Sequence, residues 1–97
     1  MPIFVKTEII KKEYLTKKDI RNKIIKEHII WIKRLKDEGI KIQSGFLVND
    51  FRQPGAGGLL IIEIANFKAA LNIIKNDPMI TNNLVDWNLN EWIDISL

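Results

Sequence analysis

Between Leu59 and Ala65 the chain reads Leu-Leu-Ile-Ile-Glu-Ile-Ala, apolar on both alternations of a short strand. A strand in a two-layer protein shows one face to the helices and the other to water, so alternation of apolar and polar residues is the usual pattern. Consecutive apolar residues need cover on both faces. A chain of 97 residues builds one core and not two. Cover for the second face then comes most simply from the sheet of another copy, which predicts a homodimer packed face to face through its sheets.

The flanking segments define the layer that covers the first face. Ile3–Ile10 is rich in β-branched residues and predicts a strand. Ile20, Ile24, Ile25, His28, Trp31, Ile32 and Leu35 recur at helical spacing, predicting a long amphipathic helix from about Lys17 to Glu38. Thr16 with Asp19 resembles its N-terminal cap, and Gly39 its stop. Ile40 to Asn49 alternates as a strand, and a loop is expected from Asn49 to Gly57. Asn66 is placed to cap a second helix from Phe67 to about Lys75, which Asp77-Pro78 ends. Val85, Trp87, Leu89, Ile93 and Ile95 share one alternation in a last strand or strand pair. The order β-α-β-β-α-β predicts an α+β, ferredoxin-like single domain, an antiparallel sheet with two helices on one face.

Composition removes several functions. The chain has no cysteine, which excludes disulfides, thiolate nucleophiles and cysteine zinc sites, and its one histidine argues against a multi-histidine metal centre. No metal or cofactor is expected. No apolar run is long enough to span a bilayer and no signal-like segment opens the chain, so no membrane association and a cytoplasmic location are expected. Twelve Lys/Arg against six Asp/Glu lie in residues 1–45, and three against six in 46–97. The basic excess falls mostly opposite the apolar stripe of the first helix, a solvated face and not a nucleic-acid surface. RNA-recognition folds share this element order but need exposed aromatics on their central strands. Leu59 to Ala65 has none. No nucleic-acid partner is expected.

His28 sits in the middle of the apolar stripe, where an imidazole needs a polar partner or loses roughly 1–3 kcal/mol of solvation. The residues alone leave two readings open: a core histidine bonded to a backbone carbonyl, or a site residue. Asp77 at the end of the second helix would face the negative end of the helix dipole. An Asx turn before Pro78 explains it, and so would an imidazole partner. The Gly55-Ala56-Gly57-Gly58 cluster lacks the following helix that phosphate binding requires, and reads as a hairpin loop or a lid over a cleft.

Taken in order, His28-Ile29-Ile30-Trp31-Ile32, Gly39, Ser44-Gly45, Gly58 into Leu59-Leu60-Ile61-Ile62, Ala69-Ala70, Asp77-Pro78-Met79 and Trp92 resemble the YCII-related (YciI-like) family over nearly the whole chain. That family carries an Arg…His helix, a Ser-Gly-Pro strand and an Asp-Pro-Phe motif. Phe46 and Met79 depart from its proline and phenylalanine. The resemblance implies a dimeric α+β barrel and a His–Asp pair, here His28 and Asp77, in a cleft. It makes Arg21 the family's arginine, an anchor for a substrate carboxylate or phenolate. Ser44 and Trp31 complete the candidate substrate contacts, although Trp31 reads first as core. General acid/base isomerisation or elimination on a small carbonyl or phenolic ligand follows, as in the related dehydrochlorinase and muconolactone isomerase. The alternative is a non-catalytic module of the same fold that binds a small metabolite. A tautomerase based on Pro2 and haem ligation by His28 are further options.

Overall fold

The computed structural model describes residues 1–96. Strand β1 (Ile3–Ile10) buries every second side chain, Phe4, Lys6 and Glu8, beneath the helices. A single 3-10 turn at Lys12–Tyr14 leads into α1 (Lys18–Asp37), which returns to β2 (Lys41–Val48). Strand β3 (Pro54–Glu63), α2 (Phe67–Ile74), the one-turn α3 (Pro78–Thr81) and β4 (Val85–Trp92) follow. The strands lie in the order β2-β3-β1-β4, every neighbouring pair antiparallel. This is the expected α+β, ferredoxin-like arrangement.

Register arranges the helix-covered face into rows. Ile42, Ile62, Phe4 and Glu91 form one; Ser44, Leu60, Lys6 and Leu89 the next; Phe46, Gly58, Glu8 and Trp87 a third. Phe4, Ile42 and Ile62 of the first row and Leu60 of the second make the main core with Trp31, Ile32 and Leu35 of α1 and Ala70 and Ile74 of α2. Burying each large aliphatic chain contributes about 1.5–3 kcal/mol. A second cluster, Ile24 with Met79, Leu84 and Val85, closes the end near the 3-10 turn. Ser44 and Lys6, the polar members of the second row, lie between these two greasy regions.

Several local expectations change. Lys17, not Thr16, occupies the N-cap position of α1, and no side chain caps it, because the 3-10 turn feeds directly into the helix through Lys17 N–H to Tyr14 C=O. The loop between β2 and β3 is only residues 49–53, closed by the Asn49 side chain accepting from the N–H groups of Phe51 and Gln53. Strand β3 already begins at Pro54, so the glycine cluster is strand and no lid. The last strand ends at Trp92, and Ile93 and Ile95 lie beyond it, exposed. On the uncovered face of the sheet Ile3, Val5, Leu59 and Ile61 are already half-buried within one chain, whereas Ile9, Leu47 and Trp92 are exposed.

Candidate active site

Asp77 does not end α2; it begins α3. Its carboxylate accepts from the Met79 N–H at 2.9 Å, the ordinary N-cap bond, with Pro78 in the first turn. The helix dipole therefore favours this carboxylate, which stands at a helix N-terminus and not at the C-terminus expected from the sequence. The chain between Ile74 and Pro78 is too short for another element, so this cap is carried beneath α1, where the carboxylate is wholly buried.

His28 meets it there. The imidazole Nδ1 lies 2.7 Å from Asp77 Oδ1, and Nε2 lies 2.7 Å from Ser44 Oγ. The second Asp77 oxygen accepts from the Lys6 ammonium at 2.6 Å, and the same ammonium pairs with Glu8 Oε1 at 2.7 Å. Glu8, Lys6, Asp77, His28 and Ser44 thus form one continuous polar chain across the helix-covered face. Burial alone would raise the Asp77 carboxyl, but the His28 hydrogen bond and the Lys6 charge outweigh it and hold the group below its usual range. An ionised Asp77 accepts only, which assigns the Nδ1 proton to the ring and leaves Nε2 of the neutral ring to accept from the Ser44 hydroxyl. A structural histidine bonded to a backbone carbonyl is not what the sequence has built.

The interior of this chain is closed and its outer end is open. Lys6 and Asp77 are 0% exposed and His28 is 8% exposed, but Ser44 lies on the exposed edge strand β2. Phe46, two residues on and facing the same way, is 70% exposed. The helix layer therefore gapes at the β2 edge, beside the imidazole. An open groove of about 390 Å³ wraps this edge mostly on the uncovered face of the sheet, lined by Gln43, Gly45, Leu47, Leu59 and Ile61, and reaches Ser44 and Phe46.

Other candidates take different places. Arg21, two turns before His28 on the same arc of α1, is half-buried, and its Nε is buried without a partner. Trp31 is 5% exposed and belongs to the main core; its ring lies 5.7 Å from the imidazole as packing. Pro2 is exposed at the start of β1, on the far side of Phe4 from Lys6. Sequence reasoning missed Lys6 and Glu8. The signal was present: both share the alternation of Phe4, so a strand buried on that face had to bury them as well.

A model of the YCII-related domain matches residues 4–93. The chain belongs to the YCII-related family. No curated protein sequence matches it. Among solved structures, this YCII-related chain is similar to 5-chloro-2-hydroxyhydroquinone dehydrochlorinase from Burkholderia phenoliruptrix AC1100, solved in complex with 2,5-dihydroxybenzoquinone. That match has a TM-score of 0.73 at 20% identity and covers 94% of this chain and 93% of the other. A de novo designed protein, Ferredog-Diesel, matches with a TM-score of 0.60 at 10% identity over 93% of this chain and 84% of its own. At such identities both likenesses establish the fold, the dehydrochlorinase that of an α+β barrel. Among the described residues no helix is long and apolar enough to cross a membrane.

Proposed function

We propose that this YCII-related protein is a small-molecule enzyme in which His28 moves a proton on a carbonyl or phenolic substrate, producing isomerisation or elimination. The observation that carries the reading is the Asp77–His28–Ser44 chain, with hydrogen bonds of 2.7 Å on both ring nitrogens and its free end at an open strand edge. A substrate hydroxyl or acidic C–H that displaces the Ser44 hydroxyl meets the Nε2 lone pair. Proton transfer forms an imidazolium, which the ionised Asp77 stabilises while Lys6 keeps that carboxylate from taking the proton itself. The same nitrogen then returns the proton to another substrate atom, or to a leaving group. Arg21 supplies a cation for a substrate oxyanion. The structurally similar dehydrochlorinase, whose activity is an elimination and whose complex holds a dihydroxyquinone, is consistent with this chemistry.

The working unit of this proposal is a homodimer. Ile3, Val5, Leu59 and Ile61 form an apolar strip on the uncovered sheet face, flanked by the exposed Ile9, Leu47 and Trp92. A second sheet laid on this strip removes it from water.

Proton NMR in deuterium oxide against a panel of small ketones, quinols and chlorinated hydroxyquinols tests the activity. Wild-type protein is expected to exchange or eliminate at rates that fall about 100-fold or more in His28→Gln, the usual contribution of a general base. Ligand binding that survives in both proteins with no turnover in either would instead establish the non-catalytic binding module.

A further inference from the structure

Among the described residues two buried side-chain polar atoms have no hydrogen-bond partner: Glu8 Oε2 and Arg21 Nε. Glu8 is 9% exposed, and a carboxylate oxygen left unpaired at that depth costs free energy that a native structure ordinarily recovers elsewhere. The fold gives this side chain special room. A Cβ at Gly58, its cross-strand neighbour, would stand 2.9 Å from Glu8 Cγ and 3.3 Å from Oε1. A Cβ at Gly57, whose φ is +97°, would meet the Glu8 carbonyl oxygen. Successive glycines thus let Glu8 lie across the strand, one oxygen held by Lys6 and the other held by nothing.

Topology puts the two orphan atoms on the same side of the His28–Asp77 pair. From Lys6 to Glu8 the chain advances along β1 toward its C-terminal end. β1 and β2 both run antiparallel to β3, so α1, which joins them, runs back along β1. Arg21, two turns before His28, is therefore displaced from the imidazole in the direction in which Glu8 is displaced from Lys6. An acceptor and a donor stand unpaired beyond the imidazole, toward the row of Phe46, Gly58, Glu8 and Trp87.

We infer that Glu8 and Arg21 form a recognition subsite for a ligand carrying an oxyanion and a hydroxyl on neighbouring carbons: a 2-hydroxy acid, an enediol or a catechol. The Arg21 guanidinium donates to the oxyanion. Glu8 Oε2 accepts from the hydroxyl, and Lys6 prevents Glu8 from swinging away. Charge supports the class. Lys6 and Arg21 balance Glu8 and Asp77, so a ligand that binds neutral and passes its one acidic proton to His28 leaves the whole site neutral before and after the transfer. Glu8 thereby becomes a specificity-determining residue. The inference rests on reading the His28 site as a small-molecule site, and it names the substrate class.

Matched pairs differing by one hydroxyl test it: lactate against propionate, mandelate against phenylacetate, catechol against phenol. Titrations followed by amide NMR are expected to show tighter binding of at least one hydroxylated member, by about ten-fold, the effect of one satisfied hydrogen bond to a charged group. In Glu8→Gln the amide oxygen must face the Lys6 ammonium and the NH₂ must face the ligand. The acceptor becomes a donor, and the hydroxyl preference should vanish while the deoxy members bind as before. Gly58→Ala moves Glu8 with its charge intact, should give the same loss, and carries the test if Glu8→Gln fails to fold. Equal binding within every pair, no binding of any probe, or a preference that survives in a folded variant would overturn the inference. Turnover that depends on His28 without any hydroxyl preference would sink this subsite alone. A Glu8-dependent preference with turnover indifferent to His28→Gln would sink the proposed chemistry alone.

Discussion

Replacing Lys6 by methionine is the most demanding test of the polar chain, because it removes a buried ammonium that serves two carboxylates. The substitution breaks ion pairs of 2.6 Å to Asp77 and 2.7 Å to Glu8, with Lys6 and Asp77 both 0% exposed. Methionine keeps most of the volume, so the cost is electrostatic and not a cavity. Stranding one partner of a buried pair costs about 3–5 kcal/mol, a large share of the roughly 5–15 kcal/mol that stabilises a domain. Asp77 keeps its bonds from His28 and the Met79 N–H. Glu8 Oε1 pairs with Lys6, and among the described residues Oε2 has no hydrogen-bond partner. Most of the penalty should therefore fall on Glu8. Urea unfolding at pH 7 should show a loss of about 3–5 kcal/mol for Lys6→Met, with much of it recovered in Lys6→Met/Glu8→Leu, where an apolar pair replaces the ionic one. A loss under about 1 kcal/mol, or a double variant no better than the single, would refute the reasoning.

Because the Asp77 carboxyl is held low in the folded chain, it adds stability above its unfolded value near 3.9 that is lost as pH falls through the lower folded value; acid unfolding followed by circular dichroism should lose that dependence in Asp77→Asn. Gly57→Ala places a methyl group against the Glu8 carbonyl in a left-handed backbone conformation and should cost about 1–3 kcal/mol in denaturant melts. Ile61→Lys, on the uncovered sheet face, should convert a dimeric mass to a monomeric one by light scattering while leaving far-ultraviolet spectra unchanged.

What could be read from the linear chain was whatever depends on neighbours a few residues away. Helical spacing from Ile24 to Leu35 marked α1 and the inward aim of His28, and the apolar run at Leu59 marked a central strand. The pairing of His28 with Asp77 was not legible in either local pattern, and it was expected only because the motifs taken together resemble the YCII-related family. The helix that Asp77 caps was not legible. A single turn of four residues has too little periodicity to register, so the carboxylate looked like an ending when it was a beginning. Nor did the glycines at 57 and 58 look like strand, since the reason for them is Glu8, almost fifty positions earlier.

Lys6 shows most clearly where the division falls. Its place on the buried alternation of β1 is a property of the sequence. Its partner Asp77 stands 71 positions away, and only the packing of α1, α3 and the sheet brings the two within 2.6 Å. Periodicity determines which face a side chain takes; long-range packing determines what it meets there. Pairing free energy between distant charges exists only after the layers have closed, so the chemistry of this site is a product of the tertiary structure acting on residues whose orientation the local pattern had already set.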